Sequence, residues 1–175
     1  MAKHKKVVAI GEIGLDYHYE NYNKQKQIDG FIKQIKLAYA LKLPIIIHLR
    51  DAYSDMLNIL NEYKEFLTYG FVIHCYSGSL EYAKELLKLG AFLSFTGVIT
   101  FKNAKKSIEV IQNIPLEKIM IETDCPYLAP EPFRGSLNEP KFVCLVFDKI
   151  CEVKNIDKQT LMEILRENTR KFFNI

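Results

Sequence analysis

No apolar run in this 175-residue chain approaches the roughly 20 residues a membrane-spanning helix needs. The opening stretch MAKHKKVVAIGEIG lacks the apolar segment and small-residue cleavage site of a secretory signal, so a soluble, cytoplasmic protein is expected. The four cysteines, Cys75, Cys125, Cys144 and Cys151, form no C-x-x-C pair. Without a secretory context they are read as reduced thiols rather than a disulfide framework. No charge of one sign dominates: 24 basic against 21 acidic side chains give a net +3, which allows a polyanionic partner without indicating one. No linker, short repeat or low-complexity stretch interrupts the chain, so residues 1–175 are expected to form one domain. At 49% hydrophobic and 26% charged, that domain has the composition of an ordinary globular core and surface.

What is present is an alternation. Short apolar runs at Val7–Ile13, Pro44–Leu49, Phe71–Cys75, Ala91–Phe95 and Ile119–Ile121 mostly lack polar alternation, as expected of strands covered on both faces. Between them lie segments with helical spacing. Ile28, Phe31, Ile32, Ile35 and Ala38 mark a helix in Gln27–Leu41, and Met56, Leu57, Leu60 and Tyr63 one in Tyr53–Phe66. Ser79 is placed to cap a helix that ends at Gly90, and Ala104, Ile108 and Ile111 mark a fourth. Two more, Lys141–Lys154 and Lys158–Phe172, close the chain. Repeated β-α units predict a parallel sheet with helical crossovers. Five strands suit either an open doubly wound sheet or part of a (β/α)8 barrel, which typically needs roughly 250 residues.

The stretch VVAIGEIGLDYHY puts Glu12 at the far end of an apolar run, where a carboxylate is costly unless paired, hydrogen-bonded or bound to a metal. Three of the other four runs end in the same way: His48 follows PIII, His74 follows FVI, and Glu122 and Asp124 follow IMI. In parallel α/β folds these strand ends share one face, where active sites are built. Each residue has a plainer reading. A single strand-end histidine is usually a hydrogen-bonded rim residue, Glu12 can cap a turn or pair with a lysine, and Glu122 or Asp124 can pair with Arg50 or Arg134. The convergence of imidazoles and carboxylates from four strands favours a divalent ion, with Zn, Mn and Mg all compatible.

The stretches GEIGLDYHY, IIIHLRDA, VIHCYSGS and IETDCPYLAP, followed by FRG and NEP, resemble the successive signatures of the TatD family of metal-dependent deoxyribonucleases, which are amidohydrolase-like TIM barrels. The resemblance runs in order over essentially the whole chain. It implies a TIM-barrel type of α/β fold, here an incomplete barrel of about five parallel strands, and phosphodiester hydrolysis of DNA by an activated water. Carried over, Glu12 is a bridging metal ligand with a catalytic role, His48 and His74 complete one metal position, and Asp124 binds the other metal and helps activate the water. Glu122 would stand behind these ligands. Arg50, Arg134 and Asn138 would contact substrate, with Tyr17 among the rings (His18, Tyr19 and Tyr22 nearby) that can stack on bases of a single-stranded or frayed end. Packing under the next helix is an equally good reading of that aromatic group. Cys75 and Cys125 are expected to be small buried thiols pointing away from the site.

Two departures qualify the resemblance. The family's first strand carries an H-x-H metal-binding pair, and none exists here, where the only other histidines are His4 and His18. The chain therefore resembles the family from about its fourth strand onward, as an N-terminally shortened piece. Of the two metals in the family's complete site, one keeps its ligands here. An unclosed barrel leaves the first and last strands as open edges, which invites self-association. The second departure is Leu137, where the family often has a basic residue. Three functions stay open at this point: a nuclease, a metal hydrolase of small esters or amides, and a non-catalytic metal-binding or interaction module.

Overall fold

The structure, a computed structural model, describes residues 2 and 4–175. It has five parallel strands with helical crossovers, as the alternation of apolar runs predicts. The strands are β1 (Ile10–Asp16), β2 (Ile45–Arg50), β3 (Phe71–Ile73), β4 (Phe92–Phe95) and β5 (Ile119–Ile121). The helices are α1 (Lys24–Leu41), α2 (Tyr53–Glu62), α3 (Leu80–Lys88), α4 (Lys105–Asn113), α5 (Val143–Lys154) and α6 (Lys158–Phe173). No helix among the described residues is long and apolar enough to cross a membrane.

The chain forms two compact units, one of Met1–His74, Glu85–Ala91 and Arg170–Ile175, the other of Cys75–Lys84 and Phe92–Thr169. In the first, β1 pairs with β2 and β2 with β3. Leu15, Ile45, Ile47 and Ile73 on these strands are fully buried, each contributing about 1.5–3 kcal/mol of apolar burial. Helix α1 starts where the Asn23 side chain accepts the Lys26 backbone N–H at 2.9 Å. It buries Phe31, Ile35 and Ala38, spaced along one stripe, and ends at Lys42 in the left-handed region (φ 58°). In the second unit β4 pairs with β5, with Leu93 opposite Ile119. Helix α6 supports β5 through Asn168, which donates to the carbonyls of Leu116 and Ile119, both at 2.8 Å.

The first strand departs from expectation. It begins at Ile10 rather than Val7 and runs on to Asp16. Its register against β2 slips between Ile10↔Ile45 and Ile13↔Ile47, three steps on one strand against two on the other. A bulge at Gly11–Glu12 absorbs the extra residue. Glu12 is therefore not a strand end but a bulge residue, and the strand's true terminal carboxylate is Asp16.

Candidate metal centre and its surroundings

Glu12, His48 and His74 form a group whose ligand atoms all lie within 4.8 Å of one another. Three features of the backbone bring them together. The bulge turns Glu12 out of the β1 alternation. His48 sits on β2 directly opposite Gly14. His74 directly follows β3, and its backbone N–H donates to the Ile47 carbonyl at 3.0 Å. The glycines of GEIG are required by this packing. A Cβ on Gly11 would stand 2.6 Å from the Ile46 Cβ, and one on Gly14 1.9 Å from the His48 carbonyl oxygen.

The two oxygens of Glu12 face two different rings. Oε2 lies 3.7 Å from His48 Nδ1 and Oε1 3.7 Å from His74 Nε2. Both separations exceed the 2.7–3.2 Å of an N–H···O hydrogen bond. Ligand bonds of about 2.0–2.2 Å to one ion place neighbouring donor atoms roughly 3–3.5 Å apart, so a small inward adjustment closes the group on a cation. His74 is buried and Glu12 is exposed, so the group has a solvent side from which an ion can enter. Imidazole nitrogen with carboxylate oxygen is a donor set that fits divalent Zn or Mn.

Asp16 stands behind His48. Its Oδ2 lies 3.0 Å from His48 Nε2, on the side of the ring away from Glu12. Partial burial pushes the Asp16 carboxyl up, but the His18 backbone N–H, the hydrogen bond and charge of His48, and Arg50 outweigh it and hold the group below its ordinary value. Gln27 on α1 fixes the same residue: its Oε1 accepts the Asp16 backbone N–H and its Nε2 donates to the Asp16 carbonyl, both at 2.7 Å. Neither Asp16 nor Gln27 is evident as a site residue while Glu12 is taken for the strand's end. The available signal was period-two spacing, since Asp16 follows Gly14 by two and shares its side of β1.

The aromatic loop after β1 combines ring contacts of its own with bonds to β2 and the residues that follow it. Tyr17 and Tyr22 stack with centroids 4.7 Å apart, and the Tyr17 hydroxyl donates to Asp55 at 2.8 Å. Lys24 pairs with the same carboxylate at 2.6 Å. Burial and Asp55 push the Tyr17 phenol well above its ordinary value. Tyr19 is 66% exposed, with the Arg50 guanidinium 5.5 Å from its ring centroid.

In the second unit, Glu122 accepts the backbone N–H of Cys75 at 2.7 Å. That bond holds the left-handed residue (φ 45°) that turns the chain immediately after His74. Asp124, also left-handed (φ 57°), opens the long loop after β5 and is not a member of the Glu12–His48–His74 group. Asn138 differs in role from the substrate contact implied by the resemblance. It is buried, donating from Nδ2 to the carbonyls of Thr123 (2.7 Å) and Tyr127 (2.6 Å), while its Oδ1 accepts the Glu139 N–H. It clamps the loop that carries Asp124. Asn138→Ala strands two carbonyls and one N–H, so a loss of about 2–4 kcal/mol in stability is expected from urea unfolding. A loss below about 0.5 kcal/mol would show the clamp to be dispensable. Arg134 is exposed, its guanidinium 4.3 Å from the Phe101 ring centroid. Leu137 is exposed as well. Cys75 is half-buried, but Cys125, expected to be buried, is exposed, because the chain has already left β5 at that point.

The TatD related DNase family model matches residues 1–174. The chain belongs to this family. It is 47% identical to the metal-dependent hydrolase YabD of Bacillus subtilis over all 175 residues, covering 68% of that protein. It is 39% identical to the metal-dependent hydrolase YcfH of Escherichia coli K12, covering 66% of it. Among solved structures, the TatD homologue YJJV of Escherichia coli K12 superposes with a TM-score of 0.93 at 33% identity, over 98% of this chain and 65% of that one. A TatD family hydrolase from Entamoeba histolytica gives 0.84 at 25% identity, over 95% of this chain and 63% of that one. The TatD-family chain thus spans about two thirds of the length of these relatives. The matches establish the TIM-barrel type of fold.

Proposed function

We propose that this TatD-family chain takes part in metal-dependent hydrolysis of DNA phosphodiester bonds, at a site that includes Glu12, His48 and His74. The observation that carries the reading is one carboxylate facing two imidazoles across equal 3.7 Å gaps. Family membership over 1–174 supports it, as do relatives named metal-dependent hydrolases. A divalent cation, when bound, supplies Lewis-acid polarisation of a phosphoryl oxygen and lowers the pKa of water. The chain's own groups would do the rest. Glu12, His48 and His74 would hold the cation, and the family resemblance assigns to the Asp124 carboxylate the proton of the attacking water. Arg50 and Arg134, exposed and cationic, neutralise flanking phosphates. Tyr19, exposed beside Arg50, offers a face for an unpaired base, whereas Tyr17 braces the loop beneath it.

The test is cleavage of a labelled single-stranded oligonucleotide by the purified chain with Mg²⁺ or Mn²⁺. Asp124→Ala and a chelator serve as controls, and small phosphoesters and lactones as competing substrates. Metal-dependent cleavage, lost in Asp124→Ala by about 100-fold or more, is expected. A chain that is folded by circular dichroism yet cleaves no oligonucleotide, or prefers the small esters, contradicts the nuclease reading.

A further inference from the structure

The group around His48 has more order than three ligands require. An imidazole that donates from one nitrogen offers a lone pair on the other, and only that second nitrogen can bind a cation. His48 places Nε2 3.0 Å from Asp16 and Nδ1 3.7 Å from Glu12. An ionised carboxylate can only accept, so the proton between His48 and Asp16 sits on Nε2. In the neutral ring Nδ1 then presents its lone pair toward Glu12.

Asp16 is itself held. The Gln27 amide makes a two-point contact with the backbone N–H and carbonyl of Asp16, as a neighbouring strand would. This joins α1 to the last residue of β1, which pairs with Arg50 at the end of β2. The latch holds the Asp16 backbone where its carboxylate reaches the His48 ring.

We infer that Asp16, latched by Gln27, is the positioning residue that keeps His48 in its Nε2–H form with Nδ1 turned to Glu12. The inference rests on reading Glu12, His48 and His74 as the cation site. It adds a hydrogen-bond relay from α1 to that site, Gln27 to Asp16 to His48, that prepares the ring before any cation arrives. Neither Asp16 nor Gln27 would touch the cation.

The test has a readout that involves neither cation nor substrate. Long-range proton–nitrogen spectra of the labelled, metal-free chain, recorded above the imidazole titration range, report which ring nitrogen carries the proton. A His48→Gln spectrum identifies the signal. The wild type is expected to show His48 protonated on Nε2. In Asp16→Asn the amide can donate as well as accept, so an Nδ1–H population is expected to appear. Zn²⁺ or Mn²⁺ affinity, read by calorimetry, is expected to fall about 10–100-fold. Gln27→Met leaves the carboxylate in place and removes only the latch. It is expected to lower affinity about tenfold, and it carries the test if Asp16→Asn does not fold. A wild-type His48 protonated on Nδ1, or a folded Asp16→Asn with unchanged ring and affinity, overturns the inference. A wild type that shows the Nε2–H ring but binds no cation overturns the reading of the three residues as a metal site, and leaves the tautomer assignment standing.

Discussion

Glu12→Gln is expected to lower the affinity of the chain for Zn²⁺ or Mn²⁺ by about 100-fold or more, a larger loss than removing a supporting residue produces. That factor is about 2.8 kcal/mol of binding free energy. Glutamine keeps the size of the side chain but removes the charge and replaces one of the two oxygens that face His48 and His74 with an N–H donor. The loss should be specific to binding. Glu12 is half exposed and makes no close hydrogen bond to either ring, so the metal-free variant should unfold within about 0.5 kcal/mol of the wild type. Saturating cation should then stabilise the wild type by about 2.7 kcal/mol at 100 times its Kd, and the variant far less. Equal stabilisation of both would remove Glu12 from the ligand set.

Gly14→Ala is expected to be the most damaging single methyl group that can be added near the site. Its Cβ would lie 1.9 Å from the His48 carbonyl oxygen and 2.8 Å from the carbonyl carbon, both backbone atoms that cannot swing aside. The backbone there also has φ 153°, a value that L side chains rarely adopt. Relief requires β1 and β2 to part where Gly14 and His48 pair. A cost of about 3 kcal/mol or more is expected, at or beyond the upper end for overpacking. For a domain of this size that is a Tm lowered by roughly 6–12 °C, measurable by calorimetry. Cation binding should weaken as well, since His48 moves with the strand. Gly30→Ala, at a half-buried position of α1 with nothing within 4 Å of the added methyl, is the control and should be neutral or stabilising. If the two substitutions behave alike, the close approach of β1 to β2 is not what the glycine provides.

The alternation of apolar runs and helical stripes predicts five strands and six helices, and each is found within a few residues of its expected place. That follows because strands covered on both faces of a parallel sheet read as near-continuous apolar runs. Glu12, His48 and His74 were legible only as a set: each alone has a plainer role, but polar residues after several apolar runs converge in a parallel fold, and these three do meet. The bulge in β1 was not legible. It depends on how Gly11 packs against Ile46 on another strand, and local spacing carries no information about that partner. The same holds for the latch. Gln27 lies 11 residues after Asp16 on an otherwise ordinary amphipathic helix, and only the turn between β1 and α1 brings the two together. Asn138 shows the opposite difficulty, because a motif residue can serve the loop that holds a site rather than the site itself.

The most direct measurement is anomalous diffraction from crystals of the chain soaked in Zn²⁺ or Mn²⁺, with data collected at the absorption edge of the metal. A peak bounded by Glu12, His48 Nδ1 and His74 Nε2, and absent in Glu12→Gln crystals soaked in the same way, is the predicted result. A peak elsewhere with this group empty, or the same peak in the variant, contradicts the assignment of these three residues as the metal centre.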